Sequence, residues 1–215
     1  MSTKLDFFNG ALLICGERFL ASLTEAQETR RLLDHVWDVE DGVRNCLERG
    51  QWYFAMRTIQ IDYDSGVTPD YGYSRAFVKP DDWVITSALC TDEFFRNPQT
   101  RYVDEAGYWY SDVDTLYVRY VSDDDGYGRD YSKWPGQFRD LVEAHLAKKI
   151  IHKIKNSEEE RERVFKIYDK ALTAAKGNSM MAGPTTFPPT GSWVRARSRY
   201  PSRRDGGNTT GNLTG

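Results

Sequence analysis

Side chains able to ligate a metal, attack a carbonyl or carry a proton are plentiful, but none recurs at a spacing that builds a site. The histidines are His35, His145 and His152. The last two stand seven positions apart, two turns along one expected helix, which is too far for a shared metal. A zincin helix needs histidines four apart with a glutamate beside the first. Packing or surface positions are expected for all three. The run Asp123-Asp124-Asp125-Gly126-Tyr127-Gly128 has the acids of a calcium loop. It lacks the alternating ligands and the distal glutamate, so it reads as a solvated loop. Cys15, Cys46 and Cys90 are far apart, form no C-x-x-C pair and sit among apolar neighbours. They read as small buried hydrophobes rather than zinc or redox ligands. Neither phosphate-cradling glycine loop occurs, nor does the G-x-S-x-G nucleophile elbow. Acids are everywhere, and nothing marks one pair for glycosidase work. The chain therefore reads as a non-enzyme, with no catalytic residue, no cofactor and no metal.

The C-terminal stretch is more informative. From Gly177 onward five arginines face one acid, Asp205, giving +4 and leaving −7 for the rest of a chain of net charge −3. Phe187, Trp193 and Tyr200 are interleaved with those arginines. Such a segment could stack on bases and neutralise phosphates, which is the nucleic-acid-binding reading. It could equally seat its aromatics in pockets of a protein while its guanidinium forks pair with carboxylates. A plain linker has no use for Trp193. The candidate binding residues are Phe187, Trp193, Arg195, Arg197, Arg199, Tyr200, Arg203 and Arg204. The surrounding Gly, Pro, Ser and Thr cannot bury enough surface to fold alone, so an extended basic arm is expected over 177–215.

Something must hold that arm, and the periodicity of the remaining chain says what. Residues 5–16 read as a short helix closed by Gly16, with Leu5, Phe8, Leu12 and Cys15 on one face. Thr24 and Gln27 form a capping-box pattern for a long helix over 24–49, with Leu32, Leu33, Val36, Trp37, Val43, Cys46 and Leu47 inward. Gly42 inside it allows a bend or a close contact. The period then changes to alternation, predicting strands over 58–63, 73–78, 83–86, 101–105, 108–111 and 116–121, with a hairpin at Gly107. Pro135 opens another helix, and Ser157 with Glu160 caps the next. These two form an antiparallel hairpin expected to pack on the helix of 24–49. The fold class is thus α+β and mainly α: an antiparallel helical bundle with one small antiparallel sheet inserted and an extended C-terminal arm. The segments are 1–57 for the first helices, 58–132 for the β-rich insertion, 133–176 for the helical hairpin and 177–215 for the arm.

Composition agrees. With 13% aromatic and 28% charged residues in 215, the chain suits a globular body with a real core. No apolar run approaches the roughly 18 residues of a membrane span. The N-terminus lacks a signal-peptide core and cleavage site, so synthesis in the cytoplasm is expected.

The order of these segments resembles the phage head-to-tail adaptor family, which includes tail tubular protein A of short-tailed phages and adaptors of long-tailed phages. The family opening reads N-x-A-L-x-x-x-G, then S-L, then a helix ending in W-x-F-A. Here those positions are Asn9, Ala11, Leu12 and Gly16, then Ser22-Leu23, then Trp52-Tyr53-Phe54-Ala55. FVKPDDWVIT is similar to the family's L-P-x-D segment, with Val78 for leucine and Lys79 inserted before Pro80. LYVRYVSD resembles the strand before the closing helices. WPGQFRDLVEAHLAKKIIHKI resembles the first closing helix, with Trp134 at the first aromatic position. The likeness spans about 5–176. It implies a structural virion protein of a bacteriophage: a closed ring, commonly a dodecamer, at the head-tail connector, assembled in the host cytoplasm. It implies that the arm binds portal protein and that the β insertion faces a downstream tail protein (nozzle, tube or stopper). DNA would pass through the lumen, the ejection channel, without specific binding, and no membrane is implied.

Overall fold

The computed structural model describes residues 3–70 and 72–183. Helix α1 (Lys4–Cys15) starts where the Asp6 carboxylate accepts the Thr3 backbone N–H at 2.7 Å and the Thr3 hydroxyl at 3.0 Å. That arrangement satisfies one free amide of the first turn and places an acid at the positive end of the helix. Gly16 closes α1 as expected, with φ 69°, a conformation glycine adopts without strain. Phe7, Phe8, Ala11, Leu12 and Cys15 are buried.

The long helix expected over 24–49 does not form. The chain instead makes α2 (Glu28–Asp34), a π-helical turn (His35–Val39) and α3 (Gly42–Leu47). Thr24 caps nothing; its backbone N–H bonds to Ser22 Oγ at 3.3 Å, and α2 begins only after Gln27. The break has a cause in the sequence. A continuous helix with Leu33, Val36 and Trp37 inward would turn positions 40 and 41 inward as well, and these are Glu40 and Asp41. The chain widens and lets Asp41 take φ 50°. The Asp41 carboxylate then accepts the Arg44 N–H at 3.2 Å and starts α3. Gly42 provides the close approach: a Cβ there would lie 3.0 Å from the Val36 carbonyl oxygen.

Among the described residues six strands form two three-stranded antiparallel sheets, not the single sheet expected. They are β1 (Met56–Asp62), β2 (Arg75–Val78), β3 (Trp83–Cys90), β4 (Val103–Glu105), β5 (Tyr108–Ser111) and β6 (Thr115–Ser122). One sheet has the order β1-β6-β3 and the other β2-β5-β4. The hairpin at Gly107 is present between β4 and β5. Ala106 (φ 47°) and Gly107 (φ 85°) form its two-residue turn, the type whose twist matches the strands.

Pro135 precedes α4 (Gly136–Ile154), and Ser157 precedes α5 (Glu158–Ala182). The expected Ser157–Glu160 capping box is absent; Ser157 makes no side-chain cap bond, and Glu160 pairs with Arg163 at 2.7 Å. Helix α5 runs past Lys176, where the apolar pattern stops, so residues 177–182 belong to it and not to an arm. Nothing lies within 4 Å of a Cβ added at Gly177, and buried Ser179 continues the face of Tyr168 and Ala175. The hairpin of α4 and α5 does not rest chiefly on the 24–49 segment either. Once that segment breaks, α4 lies between α1 and α5, and α2 and α3 touch it over shorter lengths.

Two apolar cores result. The larger joins the helices with Trp52, Val84 and Val121. A relay of rings runs through it: Trp37 to Phe7, Phe7 to Trp134, Trp134 to Phe138 and Phe138 to Trp52, with centroids 4.9–5.8 Å apart. The smaller core lies in the sheets and consists of Phe77, Leu89, Trp109, Leu116, Val118 and Tyr120.

Candidate functional site

Phe187, Trp193, Arg195, Arg197, Arg199, Tyr200, Arg203 and Arg204 all lie outside the described residues. The described part ends where α5 meets the W-x-F-A segment. Ser179 Oγ donates to the Gln51 carbonyl at 2.8 Å and accepts the Tyr53 N–H at 3.3 Å. Trp52 buries its ring and donates its indole N–H to the Leu47 carbonyl at 2.9 Å. Pro135, Phe138, Asn178 and Ala182 close a cavity of about 80 Å³ beside these rings. Gly183 passes tightly, since a Cβ there would lie 2.4 Å from the Tyr53 hydroxyl oxygen. Met180 and Met181 are each 79% exposed.

The other motif residues hold the fold together. Asn9 clamps the chain after α1: its Oδ1 accepts the Leu20 N–H at 2.8 Å and its Nδ2 donates to the Leu20 carbonyl at 3.2 Å. Asp82, from the P-x-D segment, is a hub. Its carboxylate accepts from Arg57 at 2.8 Å, from the Tyr120 hydroxyl at 3.0 Å and from the Ser122 hydroxyl. Desolvation works to raise its pKa, but the bonds from Ser122, Arg57 and Tyr120 outweigh it and hold the carboxyl below its ordinary value. Burial, and then Asp82, push the Tyr120 phenol up.

The acidic loop is less solvated than expected. Asp123 pairs with Arg44 and lies 3.6 Å from Arg129, which also pairs with Asp41 at 2.8 Å. Asp124 Oδ1 accepts the Gly126 N–H at 2.8 Å. Gly128 is required there, because a Cβ would lie 2.1 Å from the Ser122 carbonyl oxygen. The Gly128 carbonyl in turn accepts the Trp134 indole at 2.8 Å. The acids that suggested calcium are thus partly taken up by arginines. Among the described residues no group of three or more His, Cys, Asp or Glu side chains could hold a metal ion.

Two groups on α4 are displaced from their ordinary pKa in opposite directions. His145 is 4% exposed, its Nε2 has no partner, and burial lowers it to about 4. Glu143 presses its carboxyl against Gly10 of α1, and desolvation, then Asp140 and Asp6, raise it to about 7. No described cavity opens onto either group, so both read as packing consequences rather than an acid–base pair. His35 and His152 are exposed. Cys15, Cys46 and Cys90 are free and buried, as expected, and burial raises all three thiols, Cys15 to about 11.

Sequence reasoning missed the roles of Asp82, of Glu143 and of Lys79, whose ammonium lies over the Trp83 ring and pairs with Asp104. Lys79 and Asp82 flank a Pro80-Asp81 turn that looked merely polar. For Glu143 the one available signal was Gly10, a small residue inside a helix. No protein-family model matches this sequence, and a search of curated proteins finds no match. Among the described residues no helix is long and apolar enough to cross a membrane.

Proposed function

We propose that this chain is a phage head-to-tail adaptor: one subunit of a ring under the portal that carries the downstream tail proteins and surrounds the DNA passage. The observation that carries this reading is the ordered series of family-like motifs from Asn9 to the α4 sequence. Their chemistry supports a mechanical role. Asn9, Gly16, Trp52, Asp82 and Trp134 are each engaged in caps, clamps or buried hydrogen bonds. In this reading the helices form the ring body, the sheets are its insertion, and residues 184–215 are the portal-binding arm. A closed ring repeats one heterologous contact, commonly twelve times in the family. Net negative charge outside the arm would limit sticking of DNA to the lumen.

Deleting residues 184–215 tests it. The truncated chain is expected to keep its helical circular dichroism and lose co-sedimentation with portal rings. Undiminished co-assembly would refute the arm's role. In the full chain, Trp193→Ala is expected to weaken docking by about 2 kcal/mol, as aromatic anchors do. The interleaved arginines and aromatics also keep a nucleic-acid reading in view. That reading requires a mobility shift on DNA at low salt that weakens steeply as salt rises.

A further inference from the structure

Four times among the described residues a cation lies between an aromatic ring and a carboxylate. Lys4 Nζ is 5.3 Å from the Phe8 ring centre and 2.8 Å from Asp38. The Arg57 guanidinium is 5.5 Å from the Tyr127 ring and 2.8 Å from Asp82. The Arg75 guanidinium is 4.2 Å from the Tyr63 ring and 2.9 Å from Asp114. Lys79 Nζ is 3.7 Å from the Trp83 ring and pairs with Asp104. The combination is favourable because the ring face and the carboxylate both attract the cation, while the ring shields it from water.

A fifth place has the rings and the acids but no cation from the described residues. A cleft of about 510 Å³ lies between residues 68–70 and 72–73 on one side and the β4–β5 hairpin on the other. This volume falls within the range of ligand sites. Tyr73, Tyr110, Val103 and Pro69 line it together with Asp70 and Glu105. Both acids are exposed, and the nearby ion pairs are made instead by Asp104, within β4, and by Asp114, in the turn between β5 and β6. The sheet also ends here. Among the described residues strand β4 pairs only with β5, and none of them forms a ladder along its other edge. Val103 and Glu105, two residues apart, share one face of β4, and Val103 lies opposite Tyr110 in the register.

We propose that this cleft receives an arginine side chain from an extended segment of a partner protein, laid along the open edge of β4. A strand added to an edge gains backbone hydrogen bonds and directs alternate side chains to one face. Arginine is the cation that fits, because its planar guanidinium stacks on a tyrosine ring while its fork engages carboxylates. The inference needs no ring and no portal, so its failure leaves the adaptor reading untouched.

The test uses the full-length chain, labelled with ¹⁵N, and three probes. These are the blocked pentapeptide Thr-Val-Arg-Val-Thr, the same peptide with citrulline for arginine, and acetyl-arginine amide. The arginine peptide should shift amide signals of 68–73 and 103–110 and bind at least about tenfold tighter than the citrulline peptide. The double variant Asp70→Asn/Glu105→Gln should lose about tenfold in affinity with an unchanged spectrum elsewhere, since both side chains are exposed. No shift at millimolar peptide, equal binding of citrulline, or an unaffected double variant would overturn the arginine site. Acetyl-arginine amide binding as tightly as the pentapeptide would overturn the edge pairing.

Discussion

The helical part of this molecule and its two sheets are held together by different means. The helices share one large apolar core, threaded by the rings of Phe7, Trp37, Trp52, Trp134 and Phe138. Among the described residues the sheets' own core gathers only six buried side chains, Phe77, Leu89, Trp109, Leu116, Val118 and Tyr120, a small cluster for six short strands. What the small core lacks is supplied by desolvated polar clamps. Lys79, with a side chain only 7% exposed, lies against Trp83 and Trp109 and pairs with Asp104. The indole N–H groups of those two tryptophans both reach Thr86 Oγ1, at 3.1 and 3.0 Å. Asp82 gathers Arg57, Tyr120 and Ser122. Where apolar burial is scarce, a few well-satisfied charges fix the arrangement, and removing one partner matters more than the pair contributes intact.

The comparison can be broken most forcefully in the helices. Trp52→Ala removes the buried ring at the end of the relay and the indole donor shared by the Cys46 and Leu47 carbonyls. It should cost about 4 kcal/mol in urea unfolding. A loss under about 1 kcal/mol would mean that the relay is not the main support. In the sheets, Asp82→Ala leaves the Tyr120 and Ser122 hydroxyls buried without an acceptor and should cost about 3 kcal/mol. Lys79→Met keeps the stem packed against the tryptophans and strands only Asp104, whose side chain is 37% exposed and can turn to water, so it should change stability by about 1 kcal/mol or less. If the two substitutions cost the same, the clamps are not distinguished by the groups they would strand.

The smallest effects concern pH and return to α4. His145 is depressed to about 4 from 6.5, so the unfolded chain takes up its proton first. Its contribution is present above pH 6.5 and is lost as pH falls toward 4. Glu143 is raised to about 7 from 4.5, so the folded chain keeps its proton longer. Its contribution is present below pH 4.5 and is lost as pH rises through 7. Glu143→Gln should therefore stabilise the protein at pH 8 by on the order of 1 kcal/mol, after allowing for its partial exposure, and should flatten the upper limb of the profile. An unchanged slope between pH 5 and pH 8 would show that the carboxyl against Gly10 is not its source.

The local marks of this fold were legible in the sequence, and the long-range ones were not. Gly16, Pro135 and Gly107 each enforce a backbone geometry by themselves, and each stands where it was expected. All six strands begin within a few residues of their predicted starts, because alternation is a local property. Which strands share a sheet depends on pairing across distant sequence, so β6 between β1 and β3 could not be read. The broken helix was readable in retrospect from Glu40 and Asp41 on what should have been an apolar face. The overrun of α5 was hidden because Ser179 continues that face as a small polar residue. Of the candidate binding residues, all fall beyond Gly183, while the cleft beside β4 is assembled from two segments some thirty residues apart and leaves no local signature.

Helix α5 has a mechanical consequence. Its 25 residues make a strut roughly 37 Å long, stitched at its far end to residues 51–53 through Ser179. Tension directed along the strut axis would load its seam with α4 in shear. In that direction many side-chain contacts must slip together, whereas peeling would release them one at a time.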